Sequence, residues 1–251
     1  MIYVTGDCHG DFERLNQTIF PEQKEMTKDD YVIICGDVGG VWNRGAESRR
    51  EKWWMDWLQE RSFTTLFVDG NHENFDRLDA YPAEEWHGGL VHKIRPSMIH
   101  LMRGQVFDLD GSKIFAFGGA RSHDIDGGIL ELDDPQFELK KKQLDRGWRP
   151  YRINHLSWWE RELPSEAEME EGRKNLERNG NQVDFIISHC CASSTQVLLS
   201  HGMFKPDILT AYLEEIRQTV QFKKWFFGHY HENRNVNREE ILIYEQIIRI
   251  S

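Results

Sequence analysis

Five short polar clusters, each directly behind an apolar run, hold the residue types in this chain that can bind metals and move protons. They are Gly6-Asp7-Cys8-His9-Gly10, Gly36-Asp37-Val38-Gly39-Gly40, Gly70-Asn71-His72-Glu73, Ser188-His189 and Gly228-His229-Tyr230-His231. Carboxylate, amide oxygen and imidazole together form a mixed oxygen and nitrogen donor set. Such a set suits Mn, Fe, Zn, Co or Ni better than Ca or Mg, which prefer oxygen alone. In Asp7-x-His9 and His229-x-His231, extended backbone puts both side chains on one side, so each pair can face one pocket. The candidate ligands are Asp7, His9, Asp37, Asn71, His189, His229 and His231. That set is too large for one tetrahedral zinc and suits two ions sharing a carboxylate. His72 follows a candidate ligand. Consecutive turn residues point apart, so its ring is available to a substrate.

Apolar runs and Gly-rich turns must position these groups. Ile2 to Thr5, Tyr31 to Cys35 and Phe63 to Val68 read as strands, each followed by one of the clusters. Between them, the spacing predicts helices around Asp11 to Phe20 and from Glu47 to Glu60. In the second, Trp53, Trp54, Trp57 and Leu58 are expected to form a core stripe. Alternating strands and helices imply a mostly parallel sheet, and functional groups gather outside the carboxyl ends of such strands. From about Leu90, short runs at Ile99 to Arg103, Gln105 to Leu109 and Lys113 to Phe117 predict a second, more antiparallel sheet, with Asp110-Gly111 as a hairpin turn. Residues 122–159 read as a loop or cap inserted into a single domain over residues 1–251. Ser165-x-x-Glu168 opens a charged helix to about Asn179. Val183 to Ser188 and Lys224 to Phe227 read as strands, Pro206 to Gln218 as a helix, and Ile241 to Ile250 as closing strand segments.

The chain has 251 residues and a formal net charge of −11. Net acidity makes nucleic acid an unlikely partner without excluding it, because extended phosphate binding rests on Lys and Arg. Bound metal ions can supply positive charge locally. Nine Trp and fourteen Phe, with 39% apolar residues, argue for a packed core and against disorder. No run approaches the ~18 apolar residues of a membrane helix, and the N-terminal residues lack a signal-peptide pattern. Cys8, Cys35, Cys190 and Cys191 contain no Cys-x-x-Cys spacing, and three lie in or just after apolar runs. They read as reduced, mostly buried thiols of a cytoplasmic protein.

In order and spacing the clusters resemble the calcineurin-like metallophosphoesterases, whose pattern is D-x-H, G-D-x-x, G-N-H-[DE], H and G-H-x-H. The match spans residues 6–231. The resemblance implies an α/β fold: a four-layer αββα sandwich of two mixed sheets with helices outside. It assigns Asp7, His9, Asp37 and His231 to one metal and Asp37, Asn71, His189 and His229 to the other, with Asp37 as the bridge. It makes His72 the catalytic histidine that assists the leaving group. The implied cofactors are two divalent or trivalent transition-metal ions, Mn, Fe or Zn. The implied reaction is attack on a phosphate ester by a hydroxide bridging those ions. The substrate is then a phosphorylated small molecule or phosphoprotein. A phosphomonoesterase is slightly favoured. The alternatives are a phosphodiesterase acting on a cyclic nucleotide, dinucleotide or nucleic acid, and a non-catalytic module on the same fold.

The second motif departs from the protein-phosphatase form G-D-x-V-D-R-G: here it runs Gly36-Asp37-Val38-Gly39-Gly40-Val41-Trp42. The second Asp and the Arg are missing. His72 therefore lacks an assigned carboxylate partner, and a phosphate-binding arginine must come from elsewhere. Arg44, just after the second motif, and Arg121, after Gly118-Gly119-Ala120, are the candidates. His123 with Asp124 and Asp126 reads as a solvated loop.

Overall fold

Apolar side chains on the inner strands alternate between two different cores, and that alternation builds the fold. The computed structural model describes residues 1–251. Its first sheet contains β1 (Ile2–Thr5), β2 (Tyr31–Ile34), β3 (Thr64–Phe67), β4 (Ala83–Trp86), β5 (Gly89–Arg95) and β6 (Met98–Leu101). Its second contains β7 (Gln105–Leu109) and β8 (Ser112–Phe117). The segment between the sheets' main strands carries β9 (Ile129–Leu130) and β10 (Arg152–Ile153), which pair with each other in parallel. The second sheet continues with β11 (Phe185–Ser188), β12 (Lys224–Phe227), β13 (Arg234–Asn235) and β14 (Glu240–Leu242). The chain then crosses back, and β15 (Ile247–Arg249) pairs antiparallel with β1.

The first sheet runs β15-β1-β2-β3-β6-β5-β4 and the second β13-β14-β12-β11-β8-β7. In the first, β1, β2, β3 and β6 are mutually parallel; in the second, β8, β11, β12 and β14 are. The helices are α1 (Arg49–Gln59), α2 (Phe75–Leu78), α3 (Phe137–Arg146), α4 (Glu166–Arg178), α5 (Ser193–Leu199) and α6 (Ile208–Thr219).

Three apolar cores define four layers. Ile2, Val4, Ile33 and Leu66 of the first sheet meet Phe107, Ile114, Ile187 and Phe226 of the second in a central core. Their sequence neighbours Tyr3, Val32 and Ile34 turn outward against Trp54, Met55 and Leu58 of α1. Likewise Ile186, Trp225 and Phe227 face Met169 and Leu176 of α4 and Leu209, Leu213 and Ile216 of α6. Strands buried on both faces read as continuous apolar runs, and this is why they are legible in the chain. The result is the αββα sandwich expected of the fold.

Several expectations are corrected. The helix around Asp11 to Phe20 is only one 3₁₀ turn, Glu13–Leu15. Asn16 is extended, and its side-chain oxygen accepts from the backbone N–H of Thr18 and Ile19, offering the chain a turn in place of a helix. In α1, Trp54 and Leu58 are buried but Trp53 is 57% exposed. Adjacent helical residues lie about 100° apart, so Trp53 cannot share Trp54's face; it lies edge-on against that ring instead. The run at Ile99 belongs to the first sheet, because β6 pairs in parallel with β3, and β5 and β4 extend that sheet as an unforeseen hairpin. Residues 122–159 contain α3 as well as β9 and β10, and α5 was also unforeseen. All four cysteines are buried and unpaired. No helix is long and apolar enough to cross a membrane.

Candidate metal centre

The site forms where the carboxyl ends of parallel strands from both sheets meet. Asp7 follows β1, Asp37 follows β2 and Asn71 follows β3, while His189 follows β11 and His229 follows β12. The turns demand unusual backbone. His9, Asp37, His229 and His231 adopt φ of 48°, 46°, 70° and 50°. Left-handed backbone is uncommon outside glycine, and Asp and His tolerate it better than most residues. Two glycines admit the close approach. A Cβ on Gly70 would stand 2.1 Å from Asp37 Oδ1, and one on Gly228 would stand 2.0 Å from Asp7 Oδ1.

The candidate ligands fall into two sets that share Asp37. Asp7, His9, Asp37 and His231 form one, and Asp37, His189 and His229 the other, with ligand atoms inside 4.8 Å of one another. In the first set His9 Nε2 and His231 Nε2 face each other at 2.9 Å, and Asp7 Oδ2 lies 3.2 Å from His231 Nε2. The second set is more deeply buried. His189 is fully enclosed, and its Nδ1 donates to the Cys35 carbonyl at 2.7 Å, since a carbonyl can only accept. That bond orients the ring and turns Nε2 towards Asp37 Oδ1, 3.3 Å away. Asn71 Oδ1, His189 Nε2 and His229 Nε2 are all buried without a hydrogen-bond partner. Buried polar atoms are rarely left unsatisfied. Unpartnered polar atoms on Asn71, His189 and His229, near a buried carboxylate, fit a cation as their partner, whether a proton on His189 or a metal ion in its place.

The electrostatics agree. Burial pulls the His189 imidazole down, but Asp37 and Asp7 outweigh it and hold a proton there up to about 10. Burial works against charge on Asp37 as well, yet its histidine neighbours keep it far below the usual carboxylate range. The carboxylates and a proton on His189 thus stabilise each other, and a metal ion at this centre would take the place of that proton. Glu73 braces the two turns: its carboxylate accepts from Val38 N at 2.7 Å and from Gly70 N at 2.5 Å. Burial and the Asp37 charge push Glu73 up to about 8.

His72 lies at the open side. Its backbone N–H donates to Asp37 Oδ1 at 2.8 Å, which turns the ring outward. The ring sits between Trp42, 5.4 Å away, and His9, 5.1 Å away. Burial lowers its basicity against the opposing pull of Asp37.

The family model for calcineurin-like phosphoesterases matches residues 1–233. The chain belongs to the calcineurin-like phosphoesterase family. It is similar to lariat debranching enzyme A of Xenopus laevis, 30% identical over 144 residues, which covers 52% of this chain and 26% of that protein. It is also similar to the lariat debranching enzyme of Drosophila pseudoobscura pseudoobscura, 23% identical over 257 residues, 92% of this chain and 42% of that one. The chain thus spans about a quarter to two fifths of the length of these relatives. A solved Staphylococcus aureus chain assigned as a 5'-nucleotidase superposes with a TM-score of 0.42 at 14% identity, over 97% of this chain and 48% of that one. That likeness is too distant to bear on substrate.

Within this family member, Arg44 and Arg121 are both exposed, and neither is tied to the cluster by a hydrogen bond or ion pair. Arg121 instead lines a cavity with Ile125, Trp158 and Ile208. The arginine that does reach His72 is Arg152, whose Nη2 stands 3.5 Å from His72 Nε2. No local signal in the sequence singles it out, because only the β9–β10 pairing carries it there. Two further neighbours went unrecognised. Ser122 Oγ lies 3.4 Å from Asn71 Nδ2, and the His123 ring stacks on Phe204 at 4.0 Å and comes within 4.8 Å of the His229 ring. His123 is thus not in a solvated loop: the turn after β8 brings it to the edge of the site. No carboxylate bonds the His72 ring; Trp42 and His9 hold it by packing.

Proposed function

We propose that this protein is a dinuclear metal-dependent phosphoesterase acting on a phosphodiester. The observation that carries the metal reading is the convergence of His189 Nε2 and His229 Nε2 on the Asp37 carboxylate, with Asn71 Oδ1 buried and unpartnered in the neighbouring turn. Asn71, His189, His229 and Asp37 would hold one ion, and Asp7, His9, His231 and Asp37 the other. Mn, Fe or Zn suits such a donor set. Bound there, the ions supply a deprotonated water near neutral pH and positive charge for the phosphoryl oxygens.

The chain's own residues do the rest. The Cys35 carbonyl keeps the proton of His189 on Nδ1 in the neutral ring, so Nε2 presents a lone pair inward. Asp37 accepts the backbone N–H of His72 and so couples the position of that ring to the centre. From the open side, the His72 ring in its protonated form, with Nε2–H turned from Arg152 to the substrate, can hand a proton to the leaving oxygen. General acid assistance of this kind typically contributes ~10²–10⁴-fold.

The relatives named for lariat debranching favour a diester, since a lariat branch is a phosphodiester. The monoester reading is second. It is supported by charge: two divalent ions, two carboxylates and a hydroxide leave a cationic centre suited to a dianion. Parallel assays of metal-stripped, Mn-reloaded protein on bis-p-nitrophenyl phosphate and p-nitrophenyl phosphate separate them. We expect faster diester turnover, lost in D37N and reduced roughly 10²-fold or more in H72A. Faster monoester turnover would reverse the order, and two bound metals without turnover of either ester would count against an enzyme.

A further inference from the structure

Arg152 stands beside the His72 ring at the open side of the candidate centre. It lies on β10, inside the 122–159 segment, and its side chain is 14% exposed. Its Nε donates to both oxygens of Asp124, at 2.8 and 3.0 Å. Its Nη1 donates to the Ser157 carbonyl at 3.2 Å, and its Nη2 approaches His72 Nε2 at 3.5 Å. A guanidinium has five N–H donors and no lone pair. These partners leave one N–H on each terminal nitrogen, enough for a two-point contact with phosphate. The Asp124 contact uses only Nε, so it can persist while the outer edge binds a ligand. Asp124 is 51% exposed and reaches inward from the loop after β8. His72 and Asp37 fix the other side of the gap through the His72 backbone bond. Held by Asp124 and Ser157, this positive, largely buried side chain extends beyond both of them to the His72 ring, where its outer edge is not tied to a carboxylate.

We propose that Arg152 binds a non-bridging oxygen of the substrate phosphate, and that Asp124 and the Ser157 carbonyl are the groups that position its guanidinium. The segment 122–159 then supplies part of the phosphate site. The proposal rests on the phosphoesterase reading above.

The test is calorimetric titration of inorganic phosphate into Mn-loaded protein, beside hydrolysis of both nitrophenyl esters and measurement of bound metal. R152A is expected to weaken phosphate binding roughly tenfold to hundredfold, the loss of a charge-assisted contact, with metal content unchanged. R152K keeps the charge without the planar fork and is expected to lie between. D124N is expected to weaken phosphate binding by less than R152A, because it loosens the guanidinium without removing it. Phosphate affinity of R152A within about twofold of the parent at equal metal content would overturn the assignment. So would loss of metal from both Arg152 variants, which would mark a structural role. If R152A does not fold, R152K decides by the same measure. Arg152-dependent phosphate binding without hydrolysis of either ester would sink the enzyme reading and leave Arg152 standing. Hydrolysis that is indifferent to Arg152 would do the reverse.

Discussion

Asp37 is where the geometry of the centre is most constrained, because Gly70 presses on it from the next strand. A methyl group at Gly70 would meet Asp37 Oδ1, Asp37 N and His189 Nε2 within 2.1, 2.5 and 2.8 Å. Two of those atoms are in the candidate ligand sets. We therefore expect G70A to lose bound metal before it loses the fold. Metal analysis alongside circular dichroism checks this, and a folded G70A with the parent's metal content would refute it. The seven candidate ligands were legible because each is a distinctive residue type placed directly after an apolar run. Arg152 was not. It is one of many arginines, it lies far along the chain from His72, and nothing in Arg152-Ile153 differs from an ordinary surface strand. Arg44 is close in sequence to the second motif, but that closeness does not carry through a turn that leaves it in solvent.

At the scale of elements, the amino end of α1 fixes the loop that carries Trp42. Ser48 and Glu51 form a capping box, and the Glu51 carboxylate also accepts the backbone N–H groups of Trp42 and Asn43 and pairs with Arg77. Burial raises its affinity for a proton, but those backbone donors outweigh burial and bring it from 4.5 down to about 2. A carboxyl depressed in the folded state contributes stability above its unfolded value, and that contribution fades as the pH falls towards the folded one. We expect E51Q to cost about 1–3 kcal/mol at neutral pH, and the gap to the parent to narrow by about pH 3. Urea unfolding at both pH values tests the sign; a gap that widens in acid would refute it. The capping box of α4 was readable from Ser165-x-x-Glu168 for the same reason: cap chemistry is local. The 3₁₀ turn at Glu13–Leu15 was not readable, because Asn16 competes for the backbone only once its side chain has turned back on Thr18 and Ile19.

For the whole molecule, the centre joins two sheets. Asp7, His9, Asp37 and Asn71 come from the ends of the first sheet's strands, and His189, His229 and His231 from the second's. An ion held by both clamps the sandwich at one edge. At about 100 times its dissociation constant it stabilises by about 2.7 kcal/mol, on the order of 5–10 °C in Tm for a chain of this size. Chelation should lower Tm by that amount, Mn should restore it, and D37N should respond weakly to both. An unchanged Tm after verified metal removal would refute the clamp. What the sequence by itself determined is the local chemistry: strands buried on both faces, the polar turns after them, and the residue types of a mixed donor site. Periodicity and turn composition act over a few residues and need no partner to be read. What only the tertiary structure decided is which strands share a sheet and what crosses the gap between them. The run at Ile99 joined the first sheet by pairing with β3, the last strand returned to β1, and β10 carried Arg152 to His72. Those outcomes depend on pairings between distant segments, and the energy that selects them exists only when both partners are packed.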